Sequence, residues 1–340
     1  MRRYTSLLFL AFVLVLGTVL GASLLSGYAD KTPGRSGRTV TVCTTMPAEQ
    51  AGLLAAEYER MAKVDVRFIP MTPEELTESL ADKKRQPEAD LVLADSRVMR
   101  EAARKGAFVP YLSEGTDSVA DAFKDQEGAW TGVWYDPIVF CMNSDYLRTM
   151  PHIPETWAEF AAYPDMRVGM TDFLAADAAS NLYFTMVSVY GEAEVLRQLS
   201  ALHPKVVQYV KFLSTPVRMT GMGEVDASVA VQSETLRYIT GGYPIRIVYP
   251  TDGTAYMLTG AGLLRSDRPL AQEFIEWLLS DGAQMTLQRE NVFFVPTNTG
   301  TLAYKQLAGK NIALFDKKDN FTPSERSALL DHWLQNVRFK

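Results

Sequence analysis

Short apolar runs alternate with amphipathic stretches along the first third of the chain. Three runs have strand length and an apolar or alternating pattern, namely residues 38–43, 64–69 and 91–94. Between the first two, residues 48–61 place apolar side chains at helical spacing. Thr72, followed three positions later by Glu75, is typical of a capping box that starts the next helix. This order of strands and helices predicts a parallel sheet with helices on both faces.

The central stretch, residues 223–257, carries the strongest signals. Residues 225–231 form an apolar run that is long enough for a buried strand and too short for a buried helix. A polar helical segment and a Gly-Gly break follow, and residues 245–249 then supply a second β-rich run that ends in a turn of Pro, Asp and Gly. Ligands of open α/β sheets bind outside the carboxyl ends of the strands. The two strand ends are therefore predicted to be walls of one cleft.

The rest of the chain continues the alternation of strands and helices. Residues 129–142 are rich in aromatic and β-branched side chains, and residues 167–170 predict another strand. Residues 177–190 predict a helix that is closed by Gly191, and the tail from residue 322 ends in a helix that bears a tryptophan. At 340 residues, the chain has enough material for two domains.

The N-terminus has the pattern of an export signal. Two arginines precede an apolar stretch over residues 7–25, and small residues follow it. We expect cleavage near Ala22 or Ala29, so that residues 1–29 are the signal; retention as an N-terminal anchor is the alternative, because the stretch approaches the length of a spanning helix. Residues 30–38 are a polar linker. Either way, the body of the protein is expected to be periplasmic or otherwise outside the cytoplasm.

Composition and motifs narrow the function. A net charge of −6 argues against nucleic-acid partners, whose binders usually show a basic patch. The three histidines are scattered, and no nucleophile elbow, P-loop or zinc-protease motif occurs, so we expect neither an enzyme nor a resident metal or cofactor. Cys43 and Cys141 lie in apolar, strand-like runs. Export permits a disulfide, but we expect both thiols to be free, because buried free cysteines are common.

Several motifs resemble one family in the same order along the chain. They are TVTVCTT (39–45), WTGVWYDPIVFCMNSDYL (130–147), GEVDASVAVQSET (223–235), YPIRIVYPTDGT (243–254) and AQEFIEWLLSDGAQ (271–284). Together they resemble the bacterial extracellular solute-binding proteins of ABC importers, in the branch of ferric-iron, thiamine, phosphonate and sugar-phosphate binders. The resemblance implies a type II periplasmic binding protein: two α/β lobes, each a mostly parallel sheet flanked by helices, joined by a hinge.

The same resemblance implies how the chain is divided. Lobe 1 is expected to contain residues 39–136 and 252–300, and lobe 2 to contain residues 137–251 and 301–340. The chain is expected to cross between the lobes near residues 136–141 and 249–253. A monomer of this kind would close on a small molecule or ion and deliver it to an ABC permease in the membrane.

The candidate ligand-binding residues follow the predicted strands or start the helices after them. They are Thr44, Thr45, Asp95, Ser96, Tyr135, Asp136, Thr171, Ala178, Ala179, Gln232, Tyr249 and Asp252. For the threonines and aspartates, capping of the next helix is the competing interpretation. For the aromatic residues, packing in the core or between the lobes is the competing interpretation.

Departures from the family pattern decide the ligand prediction. Iron-binding members resemble this chain but carry a tyrosine pair where it has Gln232 and Ser233. Ala178 and Ala179 would let a ligand approach the N-terminus of their helix through backbone N–H groups. Our first prediction is a phosphorylated or phosphonate-type organic anion. Ferric ion, or a cationic amine such as thiamine or a polyamine, stays an alternative, as does a membrane-anchored sensor with the same fold.

Overall fold

The structure is a computed structural model that describes residues 38–340 except residues 83, 85, 308–311 and 317–319. The predicted signal, residues 1–29, and most of the predicted linker lie outside the described residues. The strands of the described residues are β1 (Thr39–Thr44), β2 (Asp65–Pro70), β3 (Leu91–Asp95), β4 (Thr131–Asn143), β5 (Val168–Thr171), β6 (Val206–Val210), β7 (Ala227–Val231), β8 (Ile245–Val248), β9 (Tyr256–Leu263) and β10 (Val295–Pro296). The α-helices of the described residues are α1 (Ala48–Ala62), α2 (Pro73–Ala81), α3 (Ser96–Arg104), α4 (Glu114–Asp117), α5 (Ser144–Leu147), α6 (Trp157–Ala162), α7 (Asp177–Tyr190), α8 (Glu192–Leu202), α9 (Ser214–Gly221), α10 (Gln232–Thr240), α11 (Pro269–Leu278), α12 (Asp281–Arg289), α13 (Leu302–Leu307) and α14 (Pro323–Trp333).

Strand β4 belongs to two half-sheets. Its first half, through Pro137, pairs antiparallel with β9, and β9 pairs with β3 in the order β2-β1-β3-β9-β4. Its second half, from Ile138, pairs antiparallel with β7 and leads into the order β4-β7-β5-β6. Strands β1, β2 and β3 run parallel to one another, as do β5, β6 and β7. The predicted α/β architecture with mostly parallel sheets is confirmed.

Each half-sheet has its own hydrophobic core. The first core takes its side chains from β1 to the first half of β4 and from β9 to β10, and it packs Tyr58 edge-on against Phe274. The second core runs from Ile138 to Val231 and includes the fully buried Trp333 near the C-terminus. Because each core buries its own large side chains, the molecule has two lobes.

The hinge is a group of three crossing segments that hydrogen-bond to one another. The Ile138 N–H donates to the carbonyl of Ala255 at 2.9 Å, and the Thr254 hydroxyl donates to the carbonyl of Ile138 at 2.7 Å. The third segment joins through the Thr254 N–H, which donates to the carbonyl of Ala313 at 3.0 Å. The first two crossings were expected near these positions; the expected lobe boundary implied a third near residue 300, whereas this segment crosses near Ala313.

The C-terminal part of the chain is divided between the lobes. The expected boundary assigns all of residues 301–340 to lobe 2, whereas Tyr304 and Leu307 of α13 pack against the first core. From Phe315 to Val337, apolar side chains of the described residues pack against the second core, as expected for the tail. The sequence of a short amphipathic helix such as α13 does not show which of the two cores the helix packs against.

Local signals had mixed outcomes. The capping box of α2 is present, because the hydroxyl of Thr72 accepts from the N–H of Glu75 and the Glu75 carboxylate accepts from the N–H of Thr72. Helix α1 differs: its N-cap is Pro47, and the hydroxyl of Thr45 does not cap it. Cys43 and Cys141 are free and buried. Within the part of the chain that the structure describes, no helix has the length and hydropathy to cross a bilayer.

Candidate functional site

A pocket lies between the lobes where α3 of lobe 1 faces α7 of lobe 2. Its cavity volume is about 40 Å³. The lining residues come from α3 and its N-cap, from the first turn of α7, from β9 and from α14: Asp95, Ser96, Arg97, Arg100, Asp177, Ser180, Asn181, Tyr256, Met257, Leu258 and Arg326. Since both lobes contribute, a ligand held here contacts both.

The lobe 1 wall is built around Asp95. Its carboxylate caps α3 by accepting from the N–H groups of Arg97 at 3.0 Å and Val98 at 3.2 Å. Its own N–H donates to the Thr45 hydroxyl at 3.4 Å. Burial raises the pKa of Asp95, and the nearby charge of Asp177 adds to that rise. The cap orders the loop, so that the next turn of α3 points its side chains at the pocket.

Helix α3 also brings a guanidinium to the pocket. Arg100 lies one turn after Ser96, and its Nη1 donates to the Ser96 hydroxyl at 3.1 Å. Both side chains are half-buried. Arginine combines a permanent charge with a rigid fork of donors, so this pair can offer several hydrogen bonds to an oxyanion.

The lobe 2 wall is the N-terminal turn of α7. Its N-cap, Ala176, offers no side-chain hydrogen bond to the helix. Asn181 Nδ2 donates to the carbonyl of Tyr256 at 3.1 Å, a direct bond from lobe 2 to lobe 1. Arg326 reaches the pocket from α14, with its guanidinium 4.8 Å from the ring centroid of Phe184. A helix N-terminus without a side-chain cap attracts negative charge.

A second polar cluster lies deeper, at the hinge. The buried carboxylate of Asp136 accepts from the Ser233 N–H at 2.9 Å and from the Ser233 hydroxyl at 2.6 Å. Burial raises the pKa of Asp136 to about 7, against the opposing effect of the Ser233 hydrogen bonds. The Tyr249 hydroxyl donates to Gln232 Oε1 at 2.9 Å, and the fully buried Gln232 Nε2 lacks a partner among the described residues.

Five of the predicted residues fall into two groups, and two of them, Asp95 and Ser96, line the pocket. Thr45, Asp95 and Ser96 stand together on lobe 1, and Asp136 and Gln232 stand at the hinge. The end of β3 and the start of α7 line the same pocket.

Other predicted residues take structural places. Thr44 is buried and donates to the carbonyl of Leu93 at 2.7 Å. The Asp252 carboxylate accepts from the Trp157 N–H at 3.2 Å and so adds to the N-terminal cap of α6, whose N-cap residue is Thr156; Asp252 does not line the pocket. Tyr135 stacks on Phe123 with 5.0 Å between ring centroids. A turn residue at a strand end is an equally good cap for a neighbouring helix, and this competing role is the one seen for Asp252.

Three further predicted residues line an apolar cavity in lobe 2. Thr171, Ala178 and Ala179 are buried there, beside Ile138 and Val231. Their side chains form the floor beneath the first turn of α7, and they do not line the pocket between the lobes.

Several lining residues were not predicted. Ser180 and Asn181 belong to the first turns of a predicted helix, where the polar run after Ala179 is a usable signal. Arg97 and Arg100 lie on α3, which follows the predicted strand over residues 91–94. Arg326 has no such signal, since only the packing of α14 on lobe 2 brings it to the pocket. No group of three or more His, Cys, Asp or Glu side chains suited to a metal occurs within the described ranges.

Comparison with known proteins agrees with this geometry. The family described as bacterial extracellular solute-binding protein matches residues 86–316. The chain belongs to this family. An uncharacterized protein of Haemophilus influenzae is 27% identical over 271 residues, which cover 75% of this chain and 78% of that protein.

Solved structures show that this solute-binding protein has the fold of known two-lobed relatives. The periplasmic binding protein AfuA of Actinobacillus pleuropneumoniae, solved with fructose-6-phosphate bound, superposes with a TM-score of 0.67 at 20% identity, covering 90% of this chain and 100% of that one. Iron-bound HitA of Pseudomonas aeruginosa superposes with a TM-score of 0.67 at 18% identity, covering 86% and 98%. Binding proteins of this type deliver their solutes to ABC permeases.

Proposed function

We propose that this solute-binding protein captures a small phosphorylated or phosphonate-type organic anion between its lobes and delivers it to an ABC permease. One observation carries the proposal: guanidinium groups from both lobes line one pocket, with Arg97 and Arg100 on lobe 1 and Arg326 on lobe 2. Arginine binds phosphoryl oxygens through paired, charge-assisted hydrogen bonds.

The same arrangement explains closure. A ligand shifts an equilibrium between open and closed forms only if it binds one form better. An oxyanion that accepts from Arg100 and Arg326 together meets both donors only when the lobes approach. The uncapped N-terminus of α7 supplies additional positive potential on the lobe 2 side. The sugar phosphate bound to AfuA belongs to the proposed ligand class and supports it.

The test is a calorimetric titration of the protein with fructose 6-phosphate, glucose 6-phosphate and ethylphosphonate. Small-angle scattering with and without each compound detects closure. Arg100→Gln is expected to weaken binding by about 10- to 100-fold, because a hydrogen bond to a charged group contributes about 1.5–3 kcal/mol. Arg104→Gln is the matched control on the same helix, where Arg104 pairs with Glu101 outside the pocket. Absence of binding by every anion, or equal losses in the two variants, would refute the proposal.

Ferric ion is the second candidate, because phenol groups surround the hinge. The Tyr135 and Tyr256 rings lie 5.9 Å apart, and Tyr249 is close enough to Asp136 for the carboxylate to contribute to its raised pKa. Phenolate and carboxylate oxygens suit a hard cation. A metal assay of the purified protein, with the visible charge-transfer band of ferric phenolate as the readout, decides between the two candidates.

A further inference from the structure

Two carboxylates face each other across the pocket, one from each lobe. Asp95 lines the lobe 1 wall and Asp177 lines the lobe 2 wall in the first turn of α7. The two lie close enough for Asp177 to act on Asp95 electrostatically. Neither carboxylate forms an ion pair within 4 Å with a lysine or arginine among the described residues.

The neighbouring arginines also have other partners, although the charge of Arg97 acts on Asp95 more strongly than that of Asp177 does. Arg97 approaches Glu74 at 3.9 Å, and Arg100 donates to the hydroxyl of Ser96. The guanidinium of Arg326 lies over Phe184. Closing the lobes brings these two carboxylates together, with Arg97 offsetting part of the repulsion at Asp95, and a purely anionic ligand would add a third negative charge. Like charges that approach one another on closure disfavour the closed form.

The pocket thus contains both positive and negative side chains, and one ligand that carries both charges can pair with both kinds. Guanidinium groups from both lobes suit an oxyanion, whereas the facing carboxylates suit a cation. Ser180 and Asn181 add neutral polar groups beside Asp177. A solute that carries both charges would bind every charged wall of the pocket and would remove the repulsion that opposes closure.

We propose that the solute is zwitterionic, with a protonated amine held between Asp95 and Asp177 and a phosphoryl or phosphonyl group directed to Arg100 and Arg326. The inference rests on the proposed function and narrows its ligand class. It assigns Asp177 the role of a specificity-determining residue, since an amine distinguishes such solutes from the corresponding simple anions.

The experiment compares three pairs of compounds that differ by an amine: 2-aminoethylphosphonate with ethylphosphonate, O-phosphoethanolamine with ethyl phosphate, and glucosamine 6-phosphate with glucose 6-phosphate. Calorimetry on the full exported protein measures each dissociation constant at pH 7. In at least one pair, the amino member is expected to bind 10-fold or more tightly. Asp177→Asn is expected to reduce that preference about tenfold, while the simple anion binds equally or more tightly.

Asp145→Asn is the matched control, since Asp145 is an exposed aspartate of lobe 2 that pairs with Arg148 outside the pocket. If the simple anions bind in an Arg100-dependent manner but no amino member binds more tightly, the zwitterion inference is overturned and the proposed function stands. The zwitterion inference is likewise overturned if Asp177→Asn keeps the full preference. If neither fructose 6-phosphate nor any of the six compounds binds, both proposals fail.

Discussion

At the hinge, one buried carboxylate connects the two lobes. Asp136 belongs to the half of β4 that pairs with β9, whereas Ser233, which donates both hydrogen bonds to it, starts α10 in lobe 2. The Asp136 side chain thus serves as the N-terminal cap of α10, although Asp136 belongs to another element. Such a contact is sensitive to the charge of the carboxylate, because burial opposes ionisation and the N–H and hydroxyl donors favour it.

The pH dependence of stability follows from the raised pKa of Asp136. Its folded pKa of about 7 exceeds the usual value near 4, so the folded state holds a proton that the unfolded state has lost. The stabilisation is complete below pH 4 and is lost as the pH rises to about 7. We expect the free energy of unfolding, measured with urea, to fall between pH 4 and about pH 7. The fall should be steeper in the wild type than in Asp136→Asn.

The Asn variant isolates this residue, since Asp95 and Asp252 also have raised pKa values and are common to both proteins. Glu234, whose charge also raises the pKa of Asp136, is unchanged as well. Parallel pH profiles of the two proteins would contradict the assignment.

A second residue-scale prediction concerns the hinge glycine Gly253. Its φ is +102°, and an added Cβ would lie 2.7 Å from Cδ1 of Phe315 in the neighbouring crossing segment. Gly253→Ala is expected to destabilise the protein by about 1–3 kcal/mol through strain and displacement of the ring. Gly223→Ala is the control, because Gly223 has a φ of +73° with open space around it. Denaturant unfolding should show a smaller loss in the control; an equal loss would mean that backbone strain alone acts.

At the scale of elements, α14 is an integral part of lobe 2. Trp333 is fully buried, 4.8 Å from the ring of Phe173 and 5.8 Å from that of Tyr209. Tyr183 extends the attachment, because its hydroxyl donates to the carbonyl of Leu329 at 2.9 Å. The helix also positions Arg326, so its packing bears directly on the proposed site.

Truncation of Trp333 tests this attachment. Trp333→Ala is expected to cost about 3–5 kcal/mol, because it removes a large side chain from a closed core. Phe339→Ala should change stability by less than about 0.5 kcal/mol, since 75% of that residue is exposed. Thermal unfolding of both variants gives the comparison. A mild effect of Trp333→Ala would show that α14 can detach without loss of the lobe 2 core.

At the scale of the whole molecule, direct hydrogen bonds between the lobes bear on their relative position. The bond from Asn181 Nδ2 joins lobe 2 to the carbonyl of Tyr256, the residue that directly follows Thr254 and Ala255 of the hinge. A hydrogen bond of this kind contributes about 1 kcal/mol net. Since 1.4 kcal/mol corresponds to a tenfold change in an equilibrium constant, its loss should shift the balance between open and closed forms about fivefold.

Asn181→Ala is therefore expected to enlarge the radius of gyration of the ligand-bound protein and to weaken solute binding about fivefold. Small-angle scattering with and without the bound solute measures the first effect and calorimetry the second. Asn336→Ala is the control, because the side chain of Asn336 bonds only within its own helical segment, to the carbonyl of His332. An unchanged scattering curve for Asn181→Ala would show that this bond does not stabilise the closed form.

Local patterns in the sequence determined much of this protein. The apolar run before Gln232 became β7, the helix over residues 177–190 has the predicted bounds, and the capping box at Thr72 formed as expected. Helix periodicity, strand alternation and caps act over a few residues, so they can be recognised without knowledge of the fold. The order of these elements also sufficed to predict a parallel sheet flanked by helices, whereas the division into two lobes came from the family resemblance.

Only the tertiary structure decided which side chains meet. Asp252 and Asp95 follow strands in the same way, yet one adds to the cap of α6 and does not line the pocket, whereas the other lines it. Arg326 reaches the pocket from the last helix, about 230 residues after Asp95, because α14 packs on lobe 2. Such contacts depend on how distant apolar surfaces pack, and local periodicity carries no information about that choice.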